Sequence, residues 1–217
     1  MGTRGNYAAG KFRIEQILDA ATLHFAANGY HETTLASIAE DVGITTAGLM
    51  HHFPSKQNLL VTLADRRISL FGKWAEEEMT GDDGLGFWRA TVEISRRMAA
   101  KPGLIDLFVI IAFSAADQKS PVHDLYKERY ERTSSIGAEH FQQGIERGLF
   151  QPDIDCMAYS RQGIAMADGL QLQWALSHGG FDLAKATKVH HERVLSTIAM
   201  PGITIDLTPR PRKGSGK

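Results

Sequence analysis

Apolar residues recur at spacings of three and four along most of the chain, beginning near residue 12. Such spacing lines up apolar side chains on one face of an α-helix, whereas a half-buried strand would alternate apolar and polar residues. No convincing alternating stretch occurs in the sequence. The pattern therefore predicts an all-α protein of about nine helices.

The N-terminal part is predicted to contain short helices. The first helix is expected over residues 11–28, where Ile14, Leu18 and Phe25 share one face. Gly29 follows in the position where a left-handed helix end favours glycine. Two shorter helices come next, and a longer one begins near residue 55. The predicted buried side of that longer helix is formed by Leu59, Leu60, Leu63 and Ile68.

Glycine and proline divide the rest of the chain into longer helices. The segment 80–86, rich in glycine and aspartate, is the clearest hinge. Beyond it, helices are predicted over residues 87–100, 104–116, 121–148, 156–178 and 183–200. The predicted organisation is a small three-helix domain over 1–54, a connecting helix over 55–80, a larger C-terminal helical bundle over 81–203 and a disordered basic tail over 204–217.

The stretch TTLASIAEDVGITTAGLMHHFPSKQNLL, residues 33–60, has the pattern of a helix-turn-helix. Thr34 and Thr45 can each cap a short helix, and Gly43 between them can adopt the turn conformation that other residues avoid. Leu49 and Phe53 are expected to anchor the second helix to the core. The residues left facing outward are Thr45, Thr46, Ala47, Gly48, Met50, His51 and His52.

This outward face suits contact with duplex DNA. A short second helix can enter a major groove, and the small residues Ala47 and Gly48 allow the backbone to approach the bases. Threonine hydroxyls can bind phosphates or base edges. Lys56 lies in the first turn of the next helix, where free N–H groups attract phosphate. The same pattern also occurs as a packing corner in all-α proteins, so the turn alone leaves a purely structural role open.

The charge balance favours a dimer if the protein binds DNA. The whole chain is 43% hydrophobic and carries a formal net charge of −1. The basic residues in positions 1–60 are Arg4, Lys11, Arg13 and Lys56, and they are matched by Glu15, Asp19, Glu32, Glu40 and Asp41. Counterion release per subunit is then modest, so a monomer would bind weakly. The N-terminal basic residues can follow phosphates or a minor groove as an extended arm does.

The remaining composition favours a cytoplasmic location. The chain has one cysteine, Cys156, so there is no disulfide framework and a reducing compartment is expected. No apolar run approaches the about 18 residues that cross a bilayer. The first residues also lack the apolar segment of a secretory signal.

The segment from Ile14 to Leu60 closely resembles the N-terminal domain of TetR-family (tetracycline-repressor-like) transcriptional regulators. The matching pieces are ILDAATLHFAANGYHETTLASIAEDVGIT and LMHHFPSKQNLL. The resemblance implies a homodimer that binds a palindromic double-stranded DNA operator, usually as a repressor, and releases it when a small-molecule effector enters the C-terminal domain. By position, it implies DNA contacts from Thr34, Thr45, Thr46, Ala47, Met50, His51 and Lys56. Met50 stands where the family commonly has tyrosine, so His51 or Lys56 must carry more of the phosphate contact.

The C-terminal bundle is expected to supply ligand binding and dimerisation. The last two helices are apolar, and two such helices from each subunit can form a four-helix bundle. A ligand pocket is typically lined by apolar side chains with a few polar groups. The candidate pocket residues are Trp88, Val92, Arg96, Phe108, Ile111, Phe113, Phe141, Met166, Asp168, Gln171 and Trp174. Plain core packing is the alternative for the apolar members. Effector binding is expected to shift a two-state equilibrium in the connecting helix and so change the spacing of the two helices over 45–52.

Other residue clusters predict no catalytic or metal chemistry. The pairs His51–His52 and His190–His191 are adjacent on helices and point about 100° apart, so neither pair chelates well. The acidic runs at 76–78 and 82–83 are interpreted as solvated faces. No nucleophile–base set or phosphate-binding loop occurs, so neither an enzyme nor a cofactor is predicted. The alternative function is an all-α small-molecule carrier or interaction protein with a structural helix-turn-helix.

Overall fold

The computed structural model describes residues 3–79, 84–101 and 103–208, with side chains from residue 10 onward. In these residues the chain forms nine α-helices: α1 (Thr3–Glu32), α2 (Leu35–Val42), α3 (Thr46–His52), α4 (Lys56–Glu78), α5 (Gly86–Ala99), α6 (Leu104–Ala115), α7 (His123–Glu146), α8 (Cys156–Leu176) and α9 (Leu183–Ile198). The all-α prediction is therefore confirmed. None of these helices alone combines the length and apolar character of a membrane span, and only α5 and α6 taken together, as a bent pair, meet that test by length and composition.

Both ends of α1 and the start of α7 are among the helix boundaries that differ from their predictions. α1 begins at Thr3 and continues one turn past Gly29, where φ of 73° and ψ of 173° interrupt the helix. Glycine adopts this backbone region freely, so the predicted break at Gly29 is confirmed. α7 begins at His123 instead of Pro121, because the His123 N–H still closes a turn on the Ser120 carbonyl at 3.1 Å.

The chain divides into two compact units that do not follow the predicted domain boundaries. Unit 1 comprises Met1–Ser69 and Lys101–Glu128, and unit 2 comprises Leu70–Ala100 and Arg129–Lys217. α6, which was expected in the C-terminal bundle, belongs to unit 1 and packs against α1. Periodicity indicates that a helix has a buried face, but it does not indicate which helix covers that face.

The core of unit 1 is built on α4. Leu59, Leu60 and Leu63 are at most 1% exposed, as predicted. Ile68 is only half-buried, and its neighbour Arg67 is the buried residue, with 1% exposure. The Arg67 guanidinium lies 4.5 Å from the centroid of the Phe108 ring on α6. A cation in this position is attracted by the ring face, which helps to explain how a charged side chain occupies the core.

Unit 2 encloses an aromatic core. The Trp88 ring lies 4.9 Å from Phe141 and 5.5 Å from Phe150 between centroids, edge to face in both cases. Aromatic rings favour this arrangement because the positive edge of one ring meets the negative face of the other. α9 packs along α5 and adds Leu195 and Ile198 to the same cluster. This core holds the helices of unit 2 together.

The predicted disordered tail is wrong for residues 204–208, which pack on unit 2. Ile205 and Leu207 enter the aromatic core with 9% and 0% exposure. The Leu207 N–H donates a hydrogen bond to Glu192 Oε1 at 3.0 Å. The basic composition of the chain end concealed these two apolar residues, which are separated by one polar residue. Residues 209–217, also assigned to the tail, lie outside the described part of the chain.

Part of the acidic run at the end of α4 is ion-paired and not simply solvated. The Arg97 side chain is 13% exposed, and its nitrogens lie 2.7 Å from Glu77 and 2.9 Å from Glu78 oxygens. A third nitrogen lies 2.8 Å from Glu93 on α5. The interpretation of this acidic run as a solvated face is therefore wrong for Glu77 and Glu78. Of the other predicted acidic positions, Glu76 is exposed, and Asp82 and Asp83 lie outside the described residues.

We predict that Gly144→Ala destabilises unit 2. A Cβ atom at this position of α7 would overlap the Phe150 ring, and an overpacked site costs about 1–3 kcal/mol. Gly72→Ala on α4 is the matched control, because a Cβ there meets no atom within 4 Å. That control should gain about 0.5–1 kcal/mol from the better helix propensity of alanine. Urea unfolding at one protein concentration measures both changes, and shifts of the same sign would contradict the packing described.

Candidate nucleic-acid interface

α2 has both predicted end structures. Thr34 Oγ1 accepts a hydrogen bond from the Ser37 N–H at 3.0 Å, and Ser37 Oγ accepts one from the Thr34 N–H at 3.4 Å. This reciprocal pair satisfies backbone donors that have no partner within the helix. Gly43 ends α2 with φ of 71° and ψ of 37°, the left-handed conformation expected of a turn glycine.

α3 is fixed by its cap and by apolar anchors on one side. Thr45 Oγ1 accepts a hydrogen bond from the Gly48 N–H at 3.0 Å. A Cβ on Gly48 would lie 3.2 Å from that same oxygen, so a larger residue would crowd the cap. Leu49 and Phe53 are 0% and 5% exposed. These contacts hold a seven-residue helix, which would not be stable alone.

The opposite side of α3 is open to solvent. Thr46, Ala47, Met50 and His51 are all exposed, and their spacing places them on one helix face. Thr45 is exposed at the start of the same helix. The structure therefore brings together these predicted DNA-contacting residues, and their contact with DNA stays a prediction.

Lys56, a predicted phosphate contact, is hydrogen-bonded within the protein, and its contact with DNA stays a prediction. Its Nζ donates hydrogen bonds to the carbonyl oxygens of Tyr30 at 2.7 Å, Thr33 at 2.9 Å and His31 at 3.0 Å. An ammonium group has three N–H donors, so these carbonyls use all of them. The sequence does not show this arrangement, because the end of α1 and the start of α4 are distant along the chain. Thr34, by contrast, is exposed as expected, although its hydroxyl caps α2.

The basic residues near the N-terminus lie on a helix, not on an extended arm. α1 is helical from Thr3 onward. The Arg13 guanidinium donates to the Val42 carbonyl at 3.3 Å, where it satisfies an acceptor at the end of α2. Lys11 is exposed and keeps its predicted ability to reach a phosphate. The side chain of Arg4 lies outside the described part of the chain.

The residues predicted to line an effector pocket are divided between the two units. Phe108 and Ile111 are 3% and 0% exposed in unit 1, where they are part of the core. Phe113 belongs to the same unit but is 66% exposed. The contact of these three residues with an effector stays a prediction, because helical periodicity does not distinguish the core of one unit from that of the other.

Several candidates in unit 2 also have other roles. Trp88, Val92 and Phe141 belong to the aromatic core, with exposures of 2%, 4% and 3%. Arg96 is paired with Glu93 at 2.6 Å, and its side chain is 61% exposed. These apolar residues are thus part of the core, and their contact with an effector stays a prediction. An apolar helical position predicts burial but not a neighbouring cavity.

The remaining candidates lie on α8. Asp168 accepts a hydrogen bond from the Tyr130 hydroxyl at 2.6 Å. Burial, followed by the Asp168 charge, raises the pKa of Tyr130, so this hydroxyl stays a donor at neutral pH. Gln171 is 7% exposed, and Met166 and Trp174 are half-buried. Sequence reasoning missed Tyr130, because its place on α7 does not reveal which α8 residue it meets.

In the described part of the chain, no three His, Cys, Asp or Glu side chains cluster as metal ligands do. The rings of His190 and His191 are 5.8 Å apart between centroids and inclined by 70°. His191 is 7% exposed, and its Nε2 has no hydrogen-bond partner among the residues that the structure describes. Burial, with a smaller effect from His190, lowers the pKa of His191 to about 4. His191 is therefore a neutral core residue at pH 7.

Two known protein families match this chain, one in its N-terminal part and one in its C-terminal part. Residues 17–63 match the model of bacterial regulatory proteins of the tetR family. Residues 106–199 match the model of the C-terminal region of BetI-type transcriptional repressors. Together the two matches span well over half of the 217 residues. The first match contains the whole of α2 and α3.

Individual relatives agree with the family models. The HTH-type transcriptional repressor KstR2 of Rhodococcus jostii is 25% identical over 198 residues, which cover 87% of this chain and 92% of that protein. The protein of the same name from Mycolicibacterium smegmatis is 29% identical over 150 residues, which cover 66% of this chain and 70% of that protein. One similar solved structure is that of SmeT, the repressor of the Stenotrophomonas maltophilia multidrug efflux pump SmeDEF. It aligns with a TM-score of 0.74 at 17% identity, and the alignment covers 91% of this chain and 96% of that chain. The last likeness shows a shared fold.

We predict that His191 makes the protein less stable in acid. The pKa of an unperturbed histidine is about 6.5, whereas burial lowers that of folded His191 to about 4. Between these values the unfolded chain binds a proton that the folded chain does not. The free energy of unfolding should therefore fall as the pH drops from about 6.5 towards about 4, by up to about 3 kcal/mol.

Urea unfolding at about pH 7 and about pH 5, at one protein concentration, measures this loss. His191→Leu cannot titrate and should lose part of the pH dependence. His31→Gln, at an exposed position, is the control and should keep it. The same pH dependence in His191→Leu and the unsubstituted protein would show that His191 does not contribute.

Proposed function

Because the chain belongs to the TetR family of bacterial transcriptional regulators, we propose that it is a repressor that binds operator DNA as a homodimer and releases it when a small molecule binds unit 2. The exposed face of α3 is the observation that carries this proposal. It combines small, hydroxyl-bearing and imidazole side chains at the position of the helix that enters the major groove in helix-turn-helix proteins.

Each exposed residue of α3 offers a chemistry that DNA can use. The hydroxyl of Thr46 can bind a phosphate or a base edge, and its methyl group can contact thymine. Met50 can make an apolar contact with a thymine methyl group. His51 can donate or accept a hydrogen bond. Because Leu49 holds the other side of α3 in the core, little order has to be gained on binding, which favours affinity.

The local charge supports binding by two subunits and not by one. Lys56 and Arg13 donate to backbone carbonyls of the protein itself, so the attraction of one subunit to phosphates is limited. Two linked subunits gain avidity, because the second binding event is intramolecular. A two-fold dimer would also match a palindromic operator, with its α3 helices about 34–36 Å apart in successive major grooves.

α8 and α9 are the proposed dimer surface. Leu176 on α8 is 73% exposed and Val189 on α9 is 47% exposed in the isolated chain. Although α8 is rich in apolar residues, its buried residues are Ser160 and Gln171. The two helices from each of two copies can form a four-helix bundle that buries such side chains.

The effector is proposed to bind unit 2 beside α8. Asp168, which accepts a hydrogen bond from Tyr130, and buried Gln171 are polar groups on α8, and a few such groups beside apolar side chains can orient a small ligand. Half-buried Met166 and Trp174 can add apolar contacts. The effector would favour a state in which the spacing of the two α3 helices no longer matches the operator, so that avidity is lost.

The names of the relatives favour a repressor over the alternative of an all-α carrier. Both KstR2 proteins are described as transcriptional repressors. A carrier would have no need for an exposed, capped α3 and would show no preference for any DNA sequence. Selection of a duplex from a random-sequence library with the purified protein separates these functions. Failure to enrich any sequence would contradict the repressor proposal.

We predict that Thr46→Glu abolishes tight operator binding without unfolding the protein. The carboxylate would lie beside the phosphates at both half-sites and remove a contact worth about 1–3 kcal/mol at each. The affinity for the enriched duplex should therefore fall by roughly a hundredfold or more. The helix itself should tolerate the change, because a negative charge in a first turn is favourable.

Fluorescence anisotropy and thermal unfolding measure these two properties. Gln118→Glu adds the same charge at an exposed turn of unit 1 outside the helix-turn-helix and should leave affinity almost unchanged. An unaltered affinity for Thr46→Glu would show that α3 does not contact the DNA. An equal loss in both variants would show a general charge effect.

We predict that the double substitution Leu176→Asp with Val189→Asp dissociates the dimer. Charged side chains at two exposed apolar positions of α8 and α9 would be buried without partners in the proposed interface, at a cost of several kcal/mol. Analytical ultracentrifugation should give a dimer for the unsubstituted protein and a monomer for the variant. Phe113→Asp, at an equally exposed apolar position of α6, is the control and should remain dimeric. A dimeric double variant would place the interface elsewhere.

A further inference from the structure

Lys56 is the first residue of α4, and its side chain is hydrogen-bonded to the segment at the end of α1. Its three hydrogen bonds to the carbonyls of Tyr30, His31 and Thr33 are 2.7–3.0 Å long. Its Nζ also lies 4.6 Å from the centroid of the Tyr30 ring, at a distance where the ring face attracts a cation. The ammonium group thus contacts several acceptors from one short segment of the protein.

Two of these carbonyls, those of Tyr30 and His31, belong to a helix end that needs partners. The last carbonyls of a helix have no intrahelical donor and lie at the negative end of the helix dipole. In α1, Gly29 interrupts the helix with φ of 73°, and the Thr33 hydroxyl lies 2.8 Å from the Gly29 carbonyl. Lys56 supplies the donors that the following carbonyls lack. Its positive charge is also suited to the negative end of the dipole.

The segment that Lys56 holds leads directly into the helix-turn-helix. Thr33 is 1% exposed, and the next residue, Thr34, is the N-cap of α2. We infer that Lys56 is a positioning residue: it fixes where α2 begins and thereby orients α3, and it does not neutralise a DNA phosphate. The inference rests on the proposed DNA-binding function for its consequence, but its structural part can be tested without DNA.

The two roles of a lysine at this position differ in their effect on salt dependence. A lysine that binds phosphate adds about 0.9 to the slope of log affinity against log salt, or about 1.8 for a dimer. A lysine whose donors are occupied by carbonyls adds little to that slope. Its removal instead displaces α2 and α3, which weakens base contacts more than general attraction to the DNA backbone.

The first measurement is hydrogen exchange of the free protein. Lys56→Met keeps much of the aliphatic stem but removes the ammonium group. We expect faster exchange at the amides of residues 33–38, which include the capped first turn of α2. Lys11→Met removes a positive charge from an exposed position of α1 and should leave exchange there unchanged. Unchanged exchange in Lys56→Met would overturn the inference.

The second measurement is binding to the duplex that the unsubstituted protein enriches from a random library, compared with a random duplex. For Lys56→Met we expect the preference to fall roughly tenfold, the cost of about one base contact, while the salt slope changes by less than about 0.5. A slope reduced by about 1.8 would assign Lys56 to a phosphate and overturn the inference. An undiminished preference despite faster exchange would show that Lys56 only stabilises the fold, which also overturns it.

Two further outcomes are distinguishable. If the unsubstituted protein enriches no duplex, the proposed function fails, while hydrogen exchange still decides whether Lys56 holds the start of α2.

If Lys56→Met does not fold, Lys56→Arg replaces it, because arginine keeps the charge but presents its donors in a plane. A phosphate contact would survive this change with full preference for the enriched duplex. The positioning role predicts a reduced preference and faster exchange at residues 33–38.

Discussion

The helix-turn-helix depends on hydrogen-bond partners for the ends of helices that are too short to be stable alone. α2 has eight residues and α3 has seven, whereas isolated helices need about 12–15 residues to be even marginally stable in water. Thr34 and Thr45 satisfy donors at the two N-termini, and Gly43 allows the turn between the helices. Arg13 reaches the end of α2. With these ends satisfied and Leu49 and Phe53 buried, the outer face of α3 can carry polar and small residues without loss of order.

Unit 2 is stabilised by different means, and these bear on dimerisation and ligand binding. Its aromatic core receives Ile205 and Leu207 from the segment after α9, so the end of the chain contributes to the fold. α8 remains poorly buried for so apolar a helix, which is the reason to propose a partner surface there. Asp168 and Tyr130, which share a hydrogen bond, are not members of the aromatic core. They are therefore better candidates for ligand recognition than the aromatic residues.

Local features were predictable from the sequence, and tertiary partners were not. The caps at Thr34 and Thr45, the turn at Gly43 and the anchors Leu49 and Phe53 each follow from short-range chemistry, and the structure confirms them. Lys56 was assigned to a phosphate because its neighbours in sequence form a helix start, but its partners lie 23–26 residues earlier. Trp88 and Phe108 were assigned to one pocket because both are apolar and helical, yet they lie in different units. Periodicity identifies a buried face and carries no information on which helix covers it.

The orientation of α3 in a groove of DNA is tested most directly by hydroxyl-radical footprinting of the unsubstituted protein on the duplex that it enriches. A dimer that places one α3 helix in each of two successive major grooves should protect two regions about one helical turn apart, related by the symmetry of the site. Methylation of guanine N7 in the major groove within these regions should block binding. A single protected region, or binding that is insensitive to major-groove methylation, would contradict recognition by paired α3 helices.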